Sequence, residues 1–227
     1  MEALFQEFLR LFTDLRGTLQ DWISIYQVWT YAILFLIVFC ETGLVVTPFL
    51  PGDSLLFAAG TLTVAAAVNT DGSTAYVMSP WVLFTVIVVA AVLGDTVNYL
   101  AGRVIGPKVF HREGGRLLNR KHLDQTHQFY VKHGGKTIIL ARFIPIIRTF
   151  APFVAGIGKM SYWRFISFNV VGGLAWPALC IFSGVYFGEI EFVKKHFEAV
   201  VVMIVLISVL PIAFEYLRHR RESKAVA

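Results

Sequence analysis

Long apolar runs dominate this chain, and the few polar residues inside them raise its questions. Residues 22–40, 54–70, 72–94, 165–188 and 199–214 carry no charged side chain. A membrane-spanning helix needs roughly 17–25 mostly apolar residues. Residues 165–188 meet that length alone, 22–40 fits it, and 199–214 reaches it with its flanks. Residues 1–21 follow another rule: Leu4, Phe5, Phe8, Leu11, Phe12 and Leu15 recur at helical spacing among charged neighbours. That pattern predicts an amphipathic helix at a membrane surface.

Two apolar stretches, 42–60 and 137–158, do not suit a plain span. The first is interrupted by Pro48 and Pro51, the second by Pro145 and Pro152. Proline in a helix interior removes a hydrogen bond and clashes with the preceding turn. Both stretches are too short to cross twice as full helices at 1.5 Å per residue.

Charge decides the threading. Only 15% of the residues are charged, against about 25% in a soluble domain. Residues 103–136 hold eight Lys or Arg against Glu113 and Asp124, and the tail adds Arg218, Arg220, Arg221 and Lys224. Residues 61–80 hold no Lys or Arg. The positive-inside rule places 103–136 and both termini in the cytoplasm, and 61–80 outside. Spans at 22–40, 81–102, 165–188 and 197–217 then account for every charged end. The segments 42–60 and 137–158 each begin and end on one side, as re-entrant hairpins. Broken backbone at membrane depth is tolerated where protein or a watery cavity surrounds it.

The expected architecture is an all-α polytopic membrane protein with four full spans and two re-entrant hairpins. It comprises a surface helix (1–21), a single membrane domain (22–217) and a basic tail (218–227). Hairpin plus span occurs twice with opposite orientation, an inverted repeat. The sequences echo: LLFAAG closes the first hairpin and APFVAG the second. Paired, proline-interrupted segments in two halves point to a transporter binding site near the midplane.

The candidate chemistry lies in those broken segments. Glu41 and Asp53 belong to the first region, Arg142 and Arg148 to the second. Ionisable groups inside spans are costly and face the protein interior or a water-filled cavity. Guanidinium stays charged when buried and matches phosphate oxygens with a flat fork of donors, so Arg142 and Arg148 are candidates for holding phosphate. Pro145, midway between them, allows a bend that turns both into one pocket. Burial favours the protonated form of a carboxyl group, and a neighbouring arginine the ionised form. Glu41 and Asp53 are therefore the candidate proton carriers. The bland alternative is structural: Asp53–Arg148 and Glu41–Arg142 ion pairs that hold the hairpins together. Asp95 and Asn98, at i and i+3, suit an interhelical hydrogen bond. Pro51, Gly52, Pro152 and Gly156 shape the hairpins, and the glycines of VVGGLAW permit close helix packing.

Other chemistries find little support. The amino terminus carries Glu2 and Glu7 before any basic residue, unlike a cleavable signal peptide. Cys40 and Cys180 lie in or beside apolar runs and suggest neither a disulfide framework nor a metal site. His111, His122, His127 and His133 lack the spacing and companion ligands of a zinc site. No cofactor is expected. A juxtamembrane loop explains the basic segment without nucleic acid. Ser183 has no partnered histidine in the membrane, and no His, Ser and acid set could form and resolve a phospho-enzyme. A transporter is expected rather than an enzyme.

The motifs FCETGLVVTPFLPGDSLLFAAG, GDTVNYLAGR, HQFYVKHGGKTIILARFIPIIRTFAPFVAGIGKMSYWRF and NVVGGLAW resemble the bacterial DedA family of inner-membrane proteins. That family shares a domain with eukaryotic autophagy-linked lipid scramblases. The resemblance runs over essentially the whole chain. It implies return of undecaprenyl phosphate, a polyprenyl phosphate lipid, across the cytoplasmic membrane, with a link to proton motive force. It also implies that Glu41, Asp53, Arg142 and Arg148 are the required residues. The expected partners are that lipid, protons and membrane lipids, and a homo-oligomer is compatible with the sequence. Competing readings are a proton-coupled exporter or ion antiporter without lipid cargo, and a non-transporting scaffold for envelope biogenesis.

Overall fold

A computed structural model describes residues 15–44, 52–63, 78–109, 136–142, 145–188, 190–197, 199–200 and 203. The regular elements among them are helical: α1 (Leu15–Tyr26), α2 (Trp29–Gly43), α3 (Gly52–Leu62), α4 (Pro80–Val109), α5 (Lys136–Ala141), α6 (Pro145–Ile157), α7 (Tyr162–Phe187) and α8 (Glu191–Lys195). Pro48, Pro51, most of the basic segment 103–136, most of the expected span 197–217 and the tail lie outside the described residues.

α1 buries Leu15, Thr18, Leu19 and Ile23, one face at helical spacing. It continues to Tyr26, so the boundary expected at residue 21 falls inside a helix. The chain then breaks where 22–40 was expected to run straight. Gln27 adopts φ 46°, its N–H donates to the Ile23 carbonyl at 3.0 Å, and the Thr30 hydroxyl donates to the Trp22 carbonyl at 2.9 Å. No sequence rule flags a left-handed glutamine, because such a residue persists only where its surroundings impose it.

α4 and α7 are long and apolar enough to cross a membrane, over Pro80–Ile105 and Tyr162–Phe187, 26 residues each. At 1.5 Å per residue each window is about 39 Å long, against a hydrocarbon core of about 30 Å. Their two faces are inverted relative to a soluble helix. α4 exposes Val89, Leu93 and Val97 while burying Asp95 and Asn98. α7 exposes Val170, Val171 and Leu174 while burying Asn169. Apolar surface outside and polar groups inside is the arrangement that lipid as solvent demands.

α3 is enclosed on nearly every side. All of its residues except Asp53 are buried. It packs on α7 through reciprocal glycines: a Cβ at Gly60 would strike the Ile181 carbonyl, and one at Gly184 the Phe57 carbonyl. α6 packs on α4 in the same way. A Cβ at Gly156 would strike the Tyr99 carbonyl, and one at Gly102 the Phe153 carbonyl. Each short helix thus presents a Phe-x-x-Gly edge, Phe57 to Gly60 and Phe153 to Gly156, to the long helix of the other half.

α5 closes at Ala141 with a turn at Arg142, and α6 opens at Pro145. Pro145 occupies the first position of α6, where its missing N–H costs nothing. Pro152, expected to interrupt the second hairpin, instead lies buried inside a continuous α6. α6 ends in a Schellman turn. Lys159 takes φ 54°, Met160 N–H donates to Ala155 O at 3.1 Å, and Lys159 N–H to Gly156 O at 3.1 Å.

Two apolar clusters stack along the long helices. One gathers α1, α3, Leu83 to Ala91 of α4 and Trp176 to Ile181 of α7. The other gathers Tyr99, Ile138, Ala155, Met160 and Phe165. Between them lies a layer of polar side chains, at mid-length of α4 and two turns into α7. On α4 it holds Asp95 and Asn98, and on α7 it holds Asn169.

Candidate functional site

The polar layer is built from five helices and the turn after α5. Glu41 lies on the buried stripe of α2 with Leu34 and Val38, so its carboxylate faces inward. Asp53 is in the first turn of α3, where the helix dipole favours a negative charge. Gly52, one residue earlier, is required by closeness: a Cβ there would enter the Glu41 carboxylate.

Arg148 of α6 joins these two acids. Its Nη1 pairs with Asp53 Oδ1 at 2.6 Å, and its Nη2 with Glu41 Oε1. Trp176 of α7 completes the arrangement. Its Nε1 donates to the same Asp53 oxygen at 2.8 Å, and its ring lies 4.8 Å from the guanidinium carbon, within cation–π range. Glu41 is fully buried, whereas the Asp53 side chain is 21% exposed.

Arg142 forms a second set. It lies at the turn closing α5, where its N–H donates to the Ile139 carbonyl at 3.3 Å. Its Nη2 pairs with Asp95 and donates to Asn169 Oδ1, and Asn169 Nδ2 donates to the Val92 carbonyl at 3.1 Å. Gly172 makes room for this arginine, since a Cβ there would stand 2.8 Å from Arg142 Cδ, and Gly173 makes room for Val92 in the same way. These glycines therefore admit a side chain as well as a helix.

Asn98 holds the first set together. Its Nδ2 donates to the Thr42 carbonyl at 3.0 Å and to the Thr149 carbonyl at 2.6 Å. Thr42 follows Glu41 and Thr149 follows Arg148, so one amide ties together the backbones that carry the two charges. Asp95 lies one turn earlier on the same helix.

Several expectations change here. Arg142 and Arg148 lie in one buried layer, but each has its own acid partners. The Asp53–Arg148 pair is present. A Glu41–Arg142 pair is not, because Arg148 takes Glu41 and Asp95 takes Arg142. Asp95, read as an interhelical hydrogen-bonding residue, is an ion-pair partner. Trp176 and Asn169 were not singled out at all. Asn169 had a signal, as a polar residue within the apolar run 165–188. Trp176 had none beyond its place in VVGGLAW.

Three carboxylates face two guanidiniums in this layer, leaving one negative charge in excess when all are ionised. Glu41 Oε2, Ser54 Oγ, Asn98 Oδ1, Arg142 Nε and Arg148 Nε are buried without a hydrogen-bond partner among the described residues. Buried polar atoms are nearly always satisfied, so spare donors and acceptors mark a place prepared for further polar contacts. Among the described residues no group of His, Cys, Asp and Glu could hold a metal ion.

Comparison with known proteins places this layer in a family. The VTT domain model matches residues 50–186, which includes Asp53, Asp95, both arginines and Trp176. Protein DedA of Escherichia coli is 50% identical over 92% of each chain. An uncharacterized membrane protein of Mycobacterium leprae is 41% identical over 77% of this chain and 74% of its own. Inner membrane protein YqjA of Escherichia coli is 30% identical over 81% of this chain and 79% of its own. No solved structure matches the chain significantly. With half its residues shared with one DedA protein along nearly the full length, and a VTT domain across its polar layer, this chain is a transmembrane member of the DedA family.

Proposed function

We propose that the chain is a proton-linked lipid transporter of the bacterial inner membrane, moving undecaprenyl phosphate or a close polyprenyl phosphate across the bilayer. The observation that carries this reading is Arg148, a buried guanidinium shared by two carboxylates at mid-span. An arginine bound to one carboxylate has reached neutrality. With two acids attached, Arg148 has a surplus that a proton cancels. Protonation of Asp53 weakens its hold on Arg148, and a phosphate oxygen takes its place on the guanidinium fork. Loss of the proton returns the carboxylate and expels the phosphate. The Asp53 carboxylate and the lipid phosphate thereby compete for one cation, and the proton decides between them, which couples the movements of proton and lipid.

The broken segments fit the same reading. The segments 42–60, which contains most of α3, and 137–158, which contains α6 and most of α5, serve as re-entrant hairpins of two inverted halves. Their cross-packing on α7 and α4 gives each half-helix a groove to move along. Arg142 with Asp95 and Asn169 supplies the second phosphate-binding position.

The reading is tested in cells that lack other family members, by measuring carrier phosphate exposed at the outer face of the membrane. Arg148→Ala is expected to raise it to the level seen without the protein. An unchanged level with Arg148→Ala would sink the proposal.

A further inference from the structure

An apolar cavity of about 360 Å³ lies against Asp53. Its walls are Phe57 of α3, Leu179, Ser183 and Phe187 of α7, Val193 of α8 and Val200. Leu179 and Phe187 are exposed at 61% and 46%, so the cavity has an open side. Ser183, the hydroxyl in this wall, already donates to the Cys180 carbonyl at 2.9 Å. A water column needs two to four polar partners for each molecule, and the accessible surface of these walls is apolar.

A site that is apolar along its length and ionic at one end suits an amphiphile. Asp53 is the most exposed of the ion-paired acids, and it stands in the wall of this cavity. Beyond it stand Arg148, with a spare buried Nε, and the Trp176 indole. We infer that the cavity holds the hydrocarbon chain of a lipid whose phosphate head reaches Arg148 past Asp53. The open side beside Leu179 and Phe187 then admits the lipid laterally from the bilayer. This inference rests on the function proposed above, and it adds where the chain lies and from which side the lipid comes.

The test uses the full-length purified protein and a polyprenyl phosphate with a diazirine in its chain. Irradiation is expected to label residues between 179 and 193. Unlabelled polyprenyl phosphate should compete, and the corresponding alcohol should not. Bulk placed in the cavity, Ser183→Trp, should lower this labelling by about tenfold, the equivalent of 1.4 kcal/mol. Leu179→Trp, at the exposed rim, should do the same without disturbing the interior. Val171→Trp on the outward face of α7 should leave labelling intact. Equal labelling of Val89, Leu93 and Val97 on the outer face of α4, or labelling indifferent to both cavity substitutions, would overturn the inference. A water-soluble short-chain prenyl phosphate separates the two readings. If both phosphates bind and residues 179–193 stay unlabelled, only the cavity assignment fails. If neither binds, the head-group site fails and the cavity assignment falls with it.

Discussion

Arg148 on α6 and Asp53 on α3 meet in a 2.6 Å ion pair across 95 residues of sequence. Both ends are held by more than each other: Glu41 takes the second Nη of the arginine, and Trp176 donates to the carboxylate. Removing the arginine leaves the buried Glu41 carboxylate and the partly exposed Asp53 carboxylate without their cation. Breaking a buried pair in this way costs about 3–5 kcal/mol. Arg148→Ala should therefore lose transport and melt at a markedly lower temperature in detergent. Glu41→Gln and Asp53→Asn remove a charge and keep the shape, so each should lose transport with a much smaller change in melting temperature. Equal thermal losses in all three would contradict this account.

Asp95 and Arg142 make the opposite kind of pair, one acid to one base. Replacing a whole buried pair by apolar residues is often neutral, whereas removing one partner is not. A double-mutant cycle should show it. Asp95→Leu and Arg142→Leu each destabilise by about 3 kcal/mol or more, and the double variant recovers much of that. Transport should stay lost in the double variant, because the second phosphate position has gone. Additive thermal losses would show that the two side chains are not coupled.

How much of this was legible in the sequence depends on the residue. The acids and arginines stood out because a charge inside an apolar run is expensive, and all four expected charges do lie in one buried layer. Their pairing was not legible. Nothing in the spacing of Glu41, Asp95 and Arg142 says which acid meets which base, since that depends on how α2 and α4 cross at Gly43 and Gly94. The prolines were half legible. Pro145 starts a helix, as its geometry suggests, but Pro152 is absorbed inside α6, where neighbouring helices can satisfy what it leaves free. The break at Gln27 could not be read, because glutamine has no preference for the left-handed region. The likeness of LLFAAG and APFVAG was visible, and its physical content is the Phe-x-x-Gly edge used once on α7 and once on α4.

That likeness yields a paired prediction. Gly60→Leu and Gly156→Leu should fail alike, each pushing a short helix off its long partner. Overpacking of this kind typically costs about 1–3 kcal/mol, and more where backbone carbonyls are the obstacle. The check is expression and melting of each variant. If one is tolerated and the other is not, the two packings are not equivalent.

Asn98 offers a test of how Glu41 and Arg148 are positioned. Asn98→Ala frees the Thr42 and Thr149 carbonyls it now holds. The loss of two buried hydrogen bonds is expected to cost about 2–4 kcal/mol. Transport should fall further than the Glu41 and Arg148 side chains, both still present, would explain. An Asn98→Ala protein with unaltered transport would mean that the amide has no part in positioning them.

The central claim is that the Asp53 carboxylate and a phosphate lipid compete for Arg148, with protonation of Asp53 favouring the lipid. It is tested most directly by following labelled polyprenyl phosphate across proteoliposome membranes with and without an imposed pH gradient, for the natural protein and for Asp53→Asn. The account predicts that the gradient accelerates movement in the natural protein and has no effect on Asp53→Asn. Movement that ignores the gradient in the natural protein, or an Asp53→Asn protein that still responds to it, would contradict the account.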